Sequence, residues 1–266
     1  MTIIISLAQM NIKLRNPAVN LEKCISMIKE ASKRGSDLVL LPELWSTGYD
    51  LSNASQYIND NQLILQKLQN IAKELRINIG GSFLETINNQ HYNTFIYILS
   101  DGTINKDYQK IHLFRLMDEH LWLTGGNQLH MRKFSWGICT QAICYDLRFS
   151  EIFRNYAING AQIVFVSAEW PLARLSHWKT LLRARAIENQ LFIAAVNCVG
   201  KTGEETFGGN SVIINPWGEA VVEAGEIEDE LVTSEIDLNE IEKVRNQIPI
   251  LSDRRPDVYD NEPIIE

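Results

Sequence analysis

Three times in this chain an apolar run stops at an ionisable residue: Asp37-Leu38-Val39-Leu40-Leu41-Pro42-Glu43, Asp107-Tyr108-Gln109-Lys110-Ile111-His112 and Gln141-Ala142-Ile143-Cys144-Tyr145-Asp146-Leu147-Arg148-Phe149. Such runs read as buried strands, and in a layered α/β fold strand ends converge on one crevice. A carboxylate, an ammonium and a thiol brought to one crevice make a catalytic set. Taken singly, each has a plainer reading: a free cysteine is most often a small core residue, Glu43 a solvated loop acid, Lys110 a surface lysine. The setting of Cys144 favours more than that. A strand that runs out at a cysteine and turns into a helix leaves the sulfur exposed among backbone N–H groups, as in a nucleophile elbow.

Along the chain, strands alternate with helices. Ile3 to Gln9 is a strand; Asn16 then caps a helix with Pro17 in its first turn, Leu21, Cys24, Ile25 and Ile28 on one face and Gly35 at its end. Leu63, Leu68, Ile71, Ala72 and Leu75 mark a second amphipathic helix, followed by a strand from Asn78 to Leu84 and a hairpin around Asp101-Gly102. The rhythm repeats: strand Ile138 to Ile143, helix Glu151 to Ile158, strand Gln162 to Val166, helix Ser176 to Gln190, strand Leu191 to Val196, and a turn at Asn215-Pro216-Trp217-Gly218. This is the order of an α/β protein. With no linker, low-complexity tract or sequence repeat, residues 1–266 are expected to form a single domain.

Charge and cysteine usage narrow the partners. With 25 basic against 33 acidic residues the formal charge is −8, which offers no basic field to nucleic acid or an anionic membrane. Met1 to Leu7 is too short for a secretory core and lacks a basic flank. The four cysteines, Cys24, Cys139, Cys144 and Cys198, have no paired spacing, so a reducing, cytoplasmic location is expected. Five histidines show no metal-binding spacing, and neither Thr124-Gly125-Gly126-Asn127 nor Phe207-Gly208-Gly209-Asn210 has a phosphate-loop context, so no metal and no cofactor is expected.

Leu41-Pro42-Glu43, Tyr108-Gln109-Lys110-Ile111-His112-Leu113 and Ile143-Cys144-Tyr145-Asp146-Leu147-Arg148-Phe149 together resemble the three signatures of the nitrilase superfamily of carbon–nitrogen hydrolases, in the family's order and over nearly the whole chain. The resemblance implies a four-layer α-β-β-α sandwich, usually paired into a homodimer. It implies a Glu-Lys-Cys triad as well. A cysteine is only a few per cent thiolate near neutrality, so it needs a base, and Glu43 is the candidate. Lys110 and the backbone N–H of Tyr145 would hold the oxyanion formed on attack at an amide carbon. The family also implies a second glutamate between lysine and cysteine, and Glu119 in Leu116-Met117-Asp118-Glu119-His120 fits; the plainer view makes Asp118 and Glu119 a solvated acidic loop.

Cys139, five residues before Cys144, points to the opposite face of a regular strand and reads as structural, as does Cys198. Substrate choice falls to Ser167 through Trp178, where Trp170 can wall a small site and Arg174 can fork a substrate carboxylate, or where both can serve packing. Arg183, Arg185 and Glu188 read as structural ion pairs. The segment from Glu169 to Trp178 with Arg183 to Gln190 resembles the omega-amidase-like branch, which implies a small-molecule substrate, a dicarboxylic monoamide such as 2-oxoglutaramate or 2-oxosuccinamate, hydrolysed with release of ammonia. A nitrilase or an N-carbamoyl amino acid amidohydrolase would use the same triad. A catalytically idle interaction module and a papain-like enzyme with His112 or His177 as base are the readings of other kinds.

Overall fold

The computed structural model describes residues 1–259. The strands are β1 (Thr2–Gln9), β2 (Leu38–Leu40), β3 (Asn78–Ile87), β4 (Gln90–Ile98), β5 (Ile104–Gln109), β6 (Met131–Phe134), β7 (Gly137–Ile143), β8 (Ile163–Ala168), β9 (Phe192–Asn197), β10 (Val199–Thr202), β11 (Glu205–Gly208), β12 (Val212–Ile214), β13 (Ala220–Glu223) and β14 (Glu230–Asp237). The helices that matter here are α1 (Pro17–Lys33), α2 (Ile58–Leu75), α3 (Glu119–Trp122), α4 (Ser150–Ile158) and α5 (Leu175–Asn189).

Two six-stranded sheets form, in the orders β14-β1-β2-β3-β4-β5 and β13-β12-β9-β8-β7-β6. Because side chains alternate across a strand, each sheet buries two faces. Ile3, Ile5, Leu7, Leu38 and Leu40 join one core with Val164, Val166 and Ile193 of the other sheet, and Tyr97 meets Phe165 across the gap at 6.2 Å between ring centroids. Their neighbours Ala8, Val39 and Leu41 face outward, onto Leu21, Cys24 and Ile28 of α1 and Ile64 and Leu68 of α2. On the far side Ile152, Phe153 and Tyr156 of α4 and Trp178 and Leu182 of α5 cover the second sheet. The layers are therefore α-β-β-α, as the resemblance implies.

A repeat invisible in the sequence emerges from the pairing. Each sheet holds a parallel trio, β1-β2-β3 or β7-β8-β9, extended by an antiparallel pair, β4-β5 or β12-β13, and closed on the other side by one antiparallel strand, β14 or β6. The second strand of each trio ends near the same place.

Local expectations fare well, with instructive exceptions. Asn16 caps α1 by accepting from Val19 N–H at 3.2 Å. Leu63 is 57% exposed, so it leaves the buried face of α2, and Asn61 takes that place because its side chain bonds Ser46 and the carbonyl of Leu84, each at 2.9 Å. β2 stops at Leu40, three residues before Glu43, and Cys144 opens a single tight turn, Cys144–Arg148, before α4 starts at Ser150. Arg185 pairs with Glu188 at 2.9 Å, whereas Arg183 is exposed and enters no ion pair among the described residues.

Candidate active site

Glu43, Lys110, Glu119 and Cys144 arrive from four separate segments and meet in one buried cluster. The Lys110 ammonium donates to Glu43 Oε1 at 2.7 Å and to Glu119 Oε1 at 2.6 Å, with all three side chains fully buried. Glu43 is held at both oxygens: Asn93 Nδ2 donates to Oε1 at 2.8 Å and the Glu169 N–H to Oε2 at 2.9 Å. Glu119 accepts from Tyr49 OH at 2.7 Å and from Phe114 N–H at 2.9 Å. Asp118 beside it is exposed, so the pair is split between water and the cluster.

Local sequence explains the presentation. Lys110 follows β5 directly, and its carbonyl accepts from Gly126 N–H at 2.8 Å. A Cβ on Gly126 would stand 2.2 Å from Gln109 O, so the Gly125-Gly126 turn is what lets the loop close over this strand end. Asp146, fully buried, ties that end to the cysteine turn by accepting from Tyr108 OH at 2.7 Å, His112 N–H at 2.9 Å and Ile143 N–H at 3.1 Å. Cys144 takes φ +44°, a left-handed conformation that costs a non-glycine residue on the order of 1–3 kcal/mol and is typical of functional turns.

Charge in the cluster follows from burial and neighbours. The Cys144 thiol, only 5% exposed rather than open as the elbow pattern suggests, is pushed well above the ordinary thiol range by burial and by the charge of Glu43, against the pull of Lys110. It rests as a thiol, its Sγ 3.9 Å from the carbonyl of Glu169. Burial opposes the Lys110 ammonium, yet Glu119 and Glu43 outweigh it and raise the lysine well above its usual value. Burial raises Glu119 in spite of Lys110. The set can move a proton from sulfur to a carboxylate and place a fixed cation beside it.

A small pocket opens at Cys144 between Phe114, Tyr145 and Trp170, with Arg148 and Arg174 on its wall. Trp170 is 2% exposed, its indole N–H on the carbonyl of Arg174 at 2.8 Å. Arg174 lies over the Phe114 ring at 5.7 Å and Arg148 over the Trp170 ring at 4.8 Å, and among the described residues no carboxylate pairs with either. His112 stacks on Phe149 at 3.4 Å with Nδ1 on Asp146, and His177 meets Arg148, so neither histidine stands where a papain-like base would. Cys24, Cys139 and Cys198 are buried, with thiols raised by burial, and Cys198 also feels Glu169 and Cys144. Sequence reasoning passed over Asn93, Tyr49, Arg148 and above all Glu169, which follows the buried strand β8 just as Lys110 follows β5 and Cys144 follows β7.

Residues 4–246 match the family model described as carbon-nitrogen hydrolase. The chain belongs to the carbon–nitrogen hydrolase family. This carbon–nitrogen hydrolase is 43% identical over 257 residues to the 2-oxoglutaramate amidase of Bacillus subtilis, covering 96% of this chain and 98% of the relative. It is 33% identical over 251 residues to human omega-amidase NIT2, covering 90% and 91%. Among solved structures it superposes with TM-score 0.87 on a CN-hydrolase superfamily protein of Xanthomonas campestris that carries an arsenic adduct in its active site, at 28% identity over 100% of this chain and 99% of the other. TM-score 0.87 and 27% identity also relate it to a mutant amidase of Nesterenkonia sp. AN1 in which acrylamide has added to the active-site cysteine, with 97% and 99% covered. An idle interaction module is thereby set aside: the carbon–nitrogen hydrolase is an amidohydrolase of the omega-amidase-like branch.

Proposed function

We propose that this carbon–nitrogen hydrolase cleaves the terminal amide of a short dicarboxylic monoamide, of the 2-oxoglutaramate or 2-oxosuccinamate type, with Cys144 as nucleophile. Glu43 takes the thiol proton as sulfur attacks the amide carbon, Lys110 and the Tyr145 N–H hold the oxyanion, and Glu43 returns the proton to nitrogen as ammonia leaves. Water, deprotonated by Glu43, then opens the thioester and gives the acid and the free thiol. Glu119 keeps Lys110 charged and aimed. A lysine already committed to two carboxylates at 2.6 and 2.7 Å is a poor base, which supports giving that task to Glu43.

The observation that carries the substrate class is the pair of guanidiniums on the pocket wall, Arg148 and Arg174, which no carboxylate of the described residues satisfies. A substrate carboxylate would supply that partner. The relation to a 2-oxoglutaramate amidase points the same way. The decisive assay is ammonia release from 2-oxoglutaramate, a simple aliphatic amide, a nitrile and an N-carbamoyl amino acid. Arg174→Ala should lose roughly 2 to 5 kcal/mol in kcat/KM on 2-oxoglutaramate and little on the neutral amide. Equal losses on both would make Arg174 structural, and a preference for nitriles or carbamoyl compounds would replace the substrate class.

We further infer one domain working as a homodimer in the cytoplasm. The support is a set of apolar side chains on and beside the outer helical layer, Ile158, Ile187 and Trp217, each more than 40% exposed, and four cysteines that are all free. Among the described residues no helix is long and apolar enough to cross a membrane.

A further inference from the structure

Glu169 is 1% exposed and both its carboxyl oxygens are buried without a hydrogen-bond partner among the described residues. Buried polar atoms in native proteins are almost always satisfied, so two orphans on one side chain beside a reactive thiol point to a partner supplied from outside. The Glu169 main chain is held at two points: its N–H donates to Glu43 Oε2 at 2.9 Å and its carbonyl lies 3.9 Å from Cys144 Sγ. Glu169 is thus pinned between the base and the nucleophile, and it lines the pocket that opens at Cys144.

We propose that Glu169 is the leaving-group residue of this site, its carboxyl accepting a hydrogen bond from the scissile –NH2 and thereby selecting primary amides. The inference rests on the roles proposed above for Cys144 and Glu43. With the amide oxygen on Lys110 and the Tyr145 N–H, and nitrogen turned toward Glu43 to receive its proton, one amide N–H faces Glu43 and the second needs another acceptor. In a site closed to water, an unmet N–H would cost the bound amide much of its affinity for the transition state. The unpartnered carboxyl of Glu169, a residue that lines this pocket, is such an acceptor. The groups whose charges reach it or which feel its own are Glu43, Glu119, Lys110, Tyr49 and Cys198, with Cys144, Arg148 and Arg174 lining the same pocket. Burial, then the charge of Glu43, keeps its proton on well above the ordinary carboxyl range, so the group meets the amide as a neutral acid with one acceptor and one donor. An ionised carboxylate there would set a third negative charge against Glu43 and Glu119.

The test compares Glu169→Gln and Glu169→Leu on a primary ω-amide and on the methyl ester of the same acid, whose leaving group carries no N–H. Glutamine offers the same acceptor and a donor, so that variant should stay within about threefold of wild type on both substrates. Leucine should lose about 10- to 100-fold in kcat on the amide, and stay within about threefold on the ester, which also reports its folding. A glutamine variant as impaired as leucine would overturn the proposal, because it would mean that Glu169 works ionised, for example against a cationic substrate. Leucine slow on both substrates, or on neither, would overturn it too. Should the leucine protein not fold, the glutamine protein still decides, since loss of the amide reaction there contradicts a neutral acceptor. A wild-type enzyme inert toward every primary ω-amide would instead refute the substrate reading, which separates the two failures.

Discussion

Glu43 and Glu169 occupy matching places in the two sheets, each just beyond the second strand of a parallel trio, and both are buried to within 1%. Their surroundings are opposite. Glu43 receives three donors, from Asn93, Lys110 and the Glu169 N–H, whereas no described residue donates to either oxygen of Glu169. One residue type at one depth thus stands in two surroundings, and the tasks proposed for it differ accordingly: base for the carboxyl that a cation and two N–H groups hold, neutral hydrogen-bonding acid for the one that no donor reaches.

The strongest way to break this comparison is to take the cation away. Lys110→Met would leave two buried carboxylates, Glu43 and Glu119, without their cation though still with two donors each, and removing one member of a buried ion pair costs about 3–5 kcal/mol. Thermal unfolding should register that as a fall of many degrees, together with lost turnover; an unchanged Tm would mean that Lys110 does not hold the carboxylates. Glu43→Gln keeps shape but not basicity, and kcat should drop at least about two powers of ten, roughly 2.7 kcal/mol, while His112→Ala and His177→Ala stay active. An active Glu43→Gln beside a dead histidine variant would move the base to histidine.

The effect that is smallest per pH unit tests the other side. Glu169 in the folded protein holds its proton above the ordinary carboxyl value of 4.5, so the unfolded chain releases a proton that the fold keeps. Stability from this group is greatest below that value and declines as pH rises through it, by at most about 1.4 kcal/mol per pH unit, until the folded carboxyl itself ionises. Glutamine has no such proton. The Tm gained by Glu169→Gln over wild type should therefore widen between pH 5 and pH 7.5, and a constant difference would show that Glu169 titrates normally.

Glu43 and Cys144 were legible because each follows an apolar run, whereas Lys110 follows the mostly polar strand Ile104–Gln109 and was legible through the company of the other two. Glu169 obeys the same rule after Ile163–Ala168, yet in sequence it is a lone acid followed by a tryptophan and a proline, which drew the reading toward pocket walls. Glu119 needed the resemblance, since nothing local distinguishes it from Asp118. The α2 face was misread at Leu63 because helical spacing cannot tell that Asn61 will find Ser46 and the Leu84 carbonyl. The duplicated strand order left no trace in the sequence, since pairing depends on backbone hydrogen bonds that many side chains permit.

β1 finds its outer neighbour in β14, with Thr2 opposite Asp237 and Gln9 opposite Glu230. A strand made early therefore waits for one made more than two hundred residues later. Until residue 237 is made, β1 presents an open, apolar edge, the kind of template on which nascent chains cross-pair, and closing so distant a contact is slow. Synthesis of this protein thus carries a built-in interval of vulnerability, which ends only when the strand Glu230–Asp237 emerges and seals the sheet begun at Thr2.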